Sequence, residues 1–312
     1  MDRAVYRLRM HAPSTTTSTA VAFGVATLGI AAFSIMDAVM KGLSLGIGAY
    51  NALLWRTMLG ALIGAAFFFG RRSAWPGREA MKVHLTRGIL SAVMAILFFW
   101  GLARVPMAQA IALAFVAPLI ALYLAAIILK EKIERRAILA SLLGFAGVIV
   151  IFAGQARADL GPDAFRGSIA ILCSAAIYAY NIILMRRQAQ LAGPMEVAFF
   201  MSLIMTSCFL VVAPIWAEIP APAHVPGIVA AALLAFVSLM LLAWAYARAE
   251  AQHLAPVEYT SFIWASILGF LFFGEHVLPL TLAGAAMIIV ACLIAASRRE
   301  RPLPVADADT GI

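Results

Sequence analysis

"FWGLARVPMAQAIALAFVAPLIALYLAAIILKEK", residues 99–132, has a counterpart in the same chain. Laid without gaps on "AWAYARAEAQHLAPVEYTSFIWASILGFLFFGEH", residues 243–276, it sets Trp100 on Trp244, Ala103 on Ala247, Arg104 on Arg248, Phe115 on Tyr259 and Glu131 on Glu275. Each copy is an apolar hairpin that ends in an acid. Matches recurring at one fixed offset are the mark of an internal duplication. The turn closing the first copy, "KEKIERR" (130–136), is rich in Lys and Arg, whereas its counterpart "FGEHVLPL" (273–280) contains neither. Lys and Arg gather in cytoplasmic loops, so the two turns belong on opposite sides of a membrane.

Composition leads to the same place. Of 312 residues, 64% are hydrophobic and only 12% are charged, against about half and about a quarter in soluble domains. A water-soluble fold of this size cannot hide so much apolar surface, and the sequence predicts an all-α integral membrane protein. The net charge of +8 is no nucleic-acid footprint, because the basic residues fall between apolar runs and form no patch with exposed aromatics. Cys173, Cys208 and Cys292 lie in apolar stretches without metal-ligand or disulfide spacing; they read as small packing residues. The histidines His84, His224, His253 and His276 fall in or near loops, unclustered, and suggest no metal site.

A helix needs roughly 20 apolar residues to cross the hydrocarbon core. Ten segments meet that need, at 21–43, 50–69, 85–103, 107–129, 136–154, 167–185, 196–215, 227–247, 255–273 and 278–296. The breaks carry charge or turn chemistry, as in "QARADLGPDAFRG" and "AEIPAPAHVPG". The run from Val21 exceeds the apolar core of a signal peptide and is expected to remain as the first span. With the N-terminus cytoplasmic, inside segments hold 18 Lys and Arg and outside segments four, Lys41, Arg104, Arg157 and Arg166. Both termini are therefore expected inside. The expected organisation is a cytoplasmic segment 1–20, a five-helix half 21–155, a second half 165–297 and a disordered cytoplasmic tail 298–312. Five spans is an odd number, so the second half must enter the membrane inverted. Two inverted halves about a pseudo-twofold axis form a transporter architecture.

These residues resemble the EamA branch of the drug/metabolite transporter superfamily. The likeness is carried by "FSIMDAVMKGLS" in the first span, "LLWRTMLGALI" in the second and "FVAPLIALYLAAIILKEK" in the fourth. It continues in "APVEYTSFIWASILGFLFFGE" in the ninth and "GAAMIIVACLIA" in the tenth. The resemblance implies ten helices in two inverted repeats and a place in the bacterial inner membrane. It implies a central cavity lined mainly by the first, third, fourth, sixth, eighth and ninth helices. It also implies a small-molecule cargo such as an amino acid, riboflavin, S-adenosylmethionine or a metal-chelating metabolite. It implies no catalytic motif and no cofactor.

Within the spans, Asp37 and Lys41 sit one helical turn apart on one face, acid before base. Asp37 lies roughly 24 Å along the first span at 1.5 Å per residue. Two readings stand: an orienting salt bridge near a helix end, or a cavity site for substrate charge or a proton. Arg56, after Trp55 in the second span, could pair with a carboxylate such as Asp37 or contact a substrate anion. Glu258 and Glu196 open the ninth and seventh spans, where an acid favours the positive helix end; Glu258 could also serve as a cavity acid. Trp100, Tyr123, Tyr178, Tyr180, Trp244, Tyr246, Tyr259 and Trp264 could line the cavity or face lipid. Asn181 could bind a neighbouring helix or a ligand. Pro118 would break the fourth span, while Gly144 and Gly147 would let helices approach closely.

The function expected is secondary active transport of a small organic metabolite by alternating access, driven by a proton or substrate gradient. The alternative is an exporter of amino acids or drugs. An intramembrane enzyme would need clustered catalytic groups, and a channel would need a ring of filter groups; neither pattern is present. No nucleotide-binding loop appears. The partners expected are the lipid bilayer and a small metabolite, with homodimerisation left open and no nucleic acid.

Overall fold

The computed structural model describes residues 19–71, 74–129, 135–158, 161–248, 254 and 257–296. Glu131, His253, Pro256 and the two terminal segments fall outside these residues. The described chain is helical, with α1 (Thr19–Gly70), α2 (Arg78–Leu102), α3 (Met107–Ala114), α4 (Ala117–Leu129) and α5 (Arg135–Arg157) in the first half. The second half holds α6 (Gly161–Leu191), α7 (Pro194–Trp216), α8 (Val225–Tyr246), α9 (Thr260–Phe273) and α10 (Pro279–Ala296). Seven helices, counting α3 and α4 as one run, are long and apolar enough to cross a membrane.

That count differs from the ten expected segments for local reasons. The first two segments form one 52-residue element, α1, broken at Gly48, whose φ of 79° and ψ of 149° are not helical. Only glycine enters that region without steric cost. At 1.5 Å per residue, 52 helical residues would span roughly 78 Å, far more than a bilayer. The chain instead folds back at Gly48 into arms 19–47 and 49–70. The ninth and tenth segments appear as shorter apolar helices, Thr260–Phe273 and Pro279–Ala295. Between α3 and α4 the helix opens at Phe115 and Val116. Pro118 lacks the N–H that would bond the carbonyl four residues back, and the amides of Leu119 and Ile120 both turn to Val116 O. The break expected at Pro118 therefore forms just ahead of it.

Hairpins bring the turns to two ends of the bundle. The Gly48 end holds residues 103–106, 217–224 and 274–278; the terminal end holds residues 74–77, 192–193 and 247–248. The two halves interlock, α1 packing on α8 and α7, α2 on α6, and α5 on α10. The last pair touches backbone to backbone: a Cβ on Gly147 would stand 2.7 Å from Gly284 O. The duplication read in the sequence reappears in contacts. Phe115 and Tyr259, which match one another, meet edge to face at 5.3 Å. Arg104 lies 3.6 Å over the Trp100 ring and Arg248 lies 4.1 Å over Trp244. Each arginine also donates to the carbonyl of its own tryptophan, closing a helix C-terminus.

An apolar core forms the interior, yet the surface is apolar too and several polar groups are buried. Ile219, Ile215 and Val211 are among the most exposed side chains, while Asp37, Lys41, His84, Gln109, Asn181 and Gln188 are buried. An apolar outside with polar groups held inside suits lipid as solvent, where exposed apolar groups cost nothing and polar groups must find partners within.

Candidate functional site

Lys41 does not pair with Asp37. Its ammonium donates to Val105 O at 2.7 Å and to Glu275 Oε1, forming an ion pair across the two halves. Glu275 Oε2 accepts the Met107 N–H at 2.8 Å. One helix and two turns are thus held in a single clasp at the Gly48 end. Local sequence builds it. α9 ends at Gly274 in the left-handed region, φ 65°, and the Glu275 N–H donates back to Gly269 O. That reversal folds the carboxylate over its own helix, where a Cβ at position 269 would come within 2.7 Å of Oε2. Glycine at both positions leaves the space. A void of about 10 Å³ lies beneath, lined by Ala108, Ala265 and Glu275 among others.

The salt bridge considered for Asp37 and Lys41 is therefore replaced by one across the halves. Four residues separate the first pair on one helix face, but the Gly48-end turns bring a second carboxylate to the ammonium. Asp37 is left 2% exposed with Oδ1 lacking a hydrogen-bond partner. Arg56 forms no ion pair with it among the described residues; its Nη1 contacts Met36 Sδ at 3.6 Å and its guanidinium lies 5.7 Å from the Phe99 centroid. The Arg56 Nε is buried and unpartnered. Asp37 and Arg56 remain within electrostatic reach of each other. An unpaired charge at mid-membrane costs about 2.5–3.5 kcal/mol on insertion scales, so two such groups held close are a costly feature with a functional signature.

A second constellation lies toward the terminal end. His84, expected near a loop, sits inside α2 at 1% exposure. Its Nε2 meets Glu196 Oε1 at 3.0 Å and its Nδ1 meets Gln188 Nε2 at 2.7 Å. The His84 ring also stacks on Phe200 at 4.9 Å. Arg87, one of the 18 Lys and Arg counted on the inside, lies within α2 and donates to Gln188 Oε1 and, at 2.9 Å, to Asn181 Oδ1. Asn181 Nδ2 donates in turn to Ser91 Oγ at 2.8 Å. Asn181 thus binds neighbouring helices in this conformation. Glu196 keeps its place in the first turn of α7, and its side chain is turned to His84.

The remaining expected residues scatter. Glu258 is exposed and accepts from the Tyr246 hydroxyl at 2.7 Å, so it is not a buried cavity acid here. Tyr178 is exposed; Tyr123, Tyr259 and Trp264 are half-buried. Trp100 and Trp244 are half-buried beneath their arginines. Sequence reasoning missed Glu275, Gln109, Gln155 and Ser168. The last three form a buried triangle, with Gln109 Nε2 donating to Gln155 Oε1 and Ser168 Oγ at 3.2 and 3.0 Å. Glu275 had a signal, an acid in a turn without its own Lys or Arg; the glutamines had none. An open pocket of about 590 Å³ lies between α5 and α6 around Phe152, Gln155 and Phe165, and its lining among the described residues carries no charged group. Among the described residues no cluster of His, Cys, Asp and Glu could hold a metal.

Comparison with known proteins gives this arrangement its context. The pseudopaline exporter CntI of Pseudomonas aeruginosa strain UCBPP-PA14 is 26% identical over 282 residues, covering 89% of this chain and 96% of its own. The S-adenosylmethionine uptake transporter of Rickettsia bellii is 24% identical, covering 88% and 92%. The riboflavin transporter of Rhizobium johnstonii is 27% identical, covering 86% and 90%. A solved crystal structure superposes with a TM-score of 0.60 at 18% identity, covering 89% of this chain and 98% of its own, which shows a shared fold. A family model, the EamA-like transporter family, matches residues 19–153 and again 165–297. With both halves matched and full-length relatives that carry metabolites, the chain belongs to the EamA-like transporter family and is a small-molecule transporter.

Proposed function

We propose that the protein crosses the bacterial inner membrane ten times, in two oppositely oriented five-helix halves with both chain ends cytoplasmic, and carries its cargo by alternating access. The break in α1 at Gly48 supports a separate crossing for each arm. The Lys and Arg asymmetry, 18 against four, supports a cytoplasmic terminal end. The observation that carries alternating access is the Lys41–Glu275 clasp. It ties the first half to the second at the end this reading assigns to the periplasm, where it would hold that end closed. Breaking one ion pair and two main-chain hydrogen bonds would free the turns at 103–107 and 274–278 together. Asp37, Lys41, Arg56, Asn181 and Tyr259 lie along the proposed pathway, and a proton or substrate gradient would drive the cycle. The relatives' names include both an exporter and an uptake transporter. A rocking carrier is reversible, so net direction follows the gradient. Those names cover pseudopaline, S-adenosylmethionine and riboflavin, and the cargo proposed is a small organic metabolite of this kind or an amino acid.

The test is cysteine accessibility in a background free of Cys173, Cys208 and Cys292. An impermeant maleimide applied to intact cells should label Ala103→Cys and spare Ala192→Cys. Ala108→Cys, buried beneath the clasp, should be protected with Glu275 present and labelled several-fold faster in Glu275→Gln. Labelling of positions 103 and 192 from the same side, or an Ala108→Cys rate indifferent to Glu275, overturns this reading.

A further inference from the structure

Lys41 turns two of its three N–H donors to Glu275 and Val105 O and none to Asp37. That leaves Asp37, one turn away, with no cation of its own. Arg56 approaches from the returning arm of α1, close enough to contact Met36 beside Asp37, yet neither group takes part in an ion pair among the described residues. Asp37 Oδ1 and Arg56 Nε are both buried without hydrogen-bond partners. An acid and a base brought close together, each with an unspent polar atom and neither closed upon the other, constitute two half-sites of opposite sign.

We infer that Asp37 and Arg56 together form a bipartite site for a zwitterionic cargo, an ammonium group meeting Asp37 and a carboxylate meeting Arg56. The inference deepens the transport reading above and rests on it. A lone cation would satisfy Asp37 and leave Arg56 unpaired; a lone anion would do the reverse. A molecule bearing both charges satisfies both in one step, and its own charges are neutralised as it leaves water. The planar guanidinium fork suits a carboxylate, and the ionised Asp accepts from an ammonium. Met36 and the Phe99 ring beside Arg56 supply adaptable apolar contact for the remainder of the cargo.

The duplication makes the site single. At the offset that sets Trp100 on Trp244, Asp37 falls on Asn181. Asn181 is neutral and already engaged by Arg87 and Ser91. The second half therefore offers no equivalent unspent charge, and one cargo molecule per chain is expected.

Full-length protein in nanodiscs would be challenged with methionine, phenylalanine and lysine, each free, as its methyl ester and as its Nα-acetyl derivative, and with riboflavin as a compound lacking the paired charges. Thermal stabilisation is the readout. At least one free amino acid should stabilise the protein, and blocking its amine or its carboxylate should weaken binding about tenfold or more. Asp37→Asn and Arg56→Gln should each abolish the response, while Asp37→Glu and Arg56→Lys should retain part of it at wild-type folding. Blocked compounds that bind as well as their parents overturn the inference, as does riboflavin binding that neither substitution alters; in both cases transport itself stands. Silence towards every compound also overturns it, and the accessibility experiment, which needs no ligand, then decides the transport reading separately.

Discussion

The two buried polar constellations differ in how they are made. The clasp at the Gly48 end is one ion pair whose other partners are main-chain groups of turns. The cluster toward the terminal end runs side chain to side chain through Glu196, His84, Gln188, Arg87, Asn181 and Ser91 across α2, α6 and α7. In the proposed alternating access the clasp's turns separate and let water reach both charges. The terminal cluster is backed by aromatic packing, with Phe200 stacked on His84 and Phe68 and Trp75 packed on Phe200, and its members sit on helix faces. A contact concentrated in turns would act as a latch, whereas a distributed contact between packed helices would act as a hinge that holds.

That contrast breaks first at Asn181. Replacing it with Leu takes the acceptor from Arg87 Nε and the donor from Ser91. Leaving a buried cation short of its partner should cost about 2–4 kcal/mol. It should appear as a fall in melting temperature with labelling at Ala108→Cys unchanged. A variant that melts normally but labels rapidly would reverse the assignment of latch and hinge.

Glu275→Gln sharpens the contrast from the other side. In a closed interior, removal of one partner of a buried pair is as harmful as the change at Asn181. Here the turns can open and hydrate Lys41, so the loss should appear as a population shift with a stability change of about 1 kcal/mol or less. Melting curves and labelling rates taken on the same samples separate the two outcomes.

The smallest effect concerns the matched Arg–Trp pairs, which cap helices at opposite ends. Arg104→Ala and Arg248→Ala should each cost about 0.5–1 kcal/mol, since both are exposed cation–π contacts, and the two losses should be alike. A large disparity in thermal stability would show that the two ends of the bundle are not built equivalently.

Much of the fold was open to a reader of the sequence because its signals are local. Apolar runs between charged breaks located the helices, Pro118 foretold an interruption, and Gly144 and Gly147 marked a close approach that the α5–α10 contact realises. The match of residues 99–132 with 243–276 set Trp100, Arg104 and Phe115 on Trp244, Arg248 and Tyr259, while the contacts these residues make emerged only in the structure. The candidate site was legible only in part. Asp37, Lys41 and Arg56 stood out because charge is rare in such runs. Their partners were hidden, because the nearest opposite charge along a helix is not the nearest in space. His84 and Arg87 looked like loop residues because they lie near charged breaks; only the packing of α2 between α6 and α7 shows them to be interior.

Residue order alone determined that this chain prefers lipid to water, where its helices run and that its halves share one ancestor pattern, since hydropathy, charge spacing and repetition are properties of consecutive residues. Tertiary structure decided which charges meet. Lys41 lies four residues from Asp37 and far along the chain from Glu275, yet it binds the distant acid, because the Gly274 reversal and the folding of α1 at Gly48 carry the two groups to the same end of the bundle. Coulomb energy depends on separation through space and on the surrounding medium, and neither quantity can be counted along a sequence.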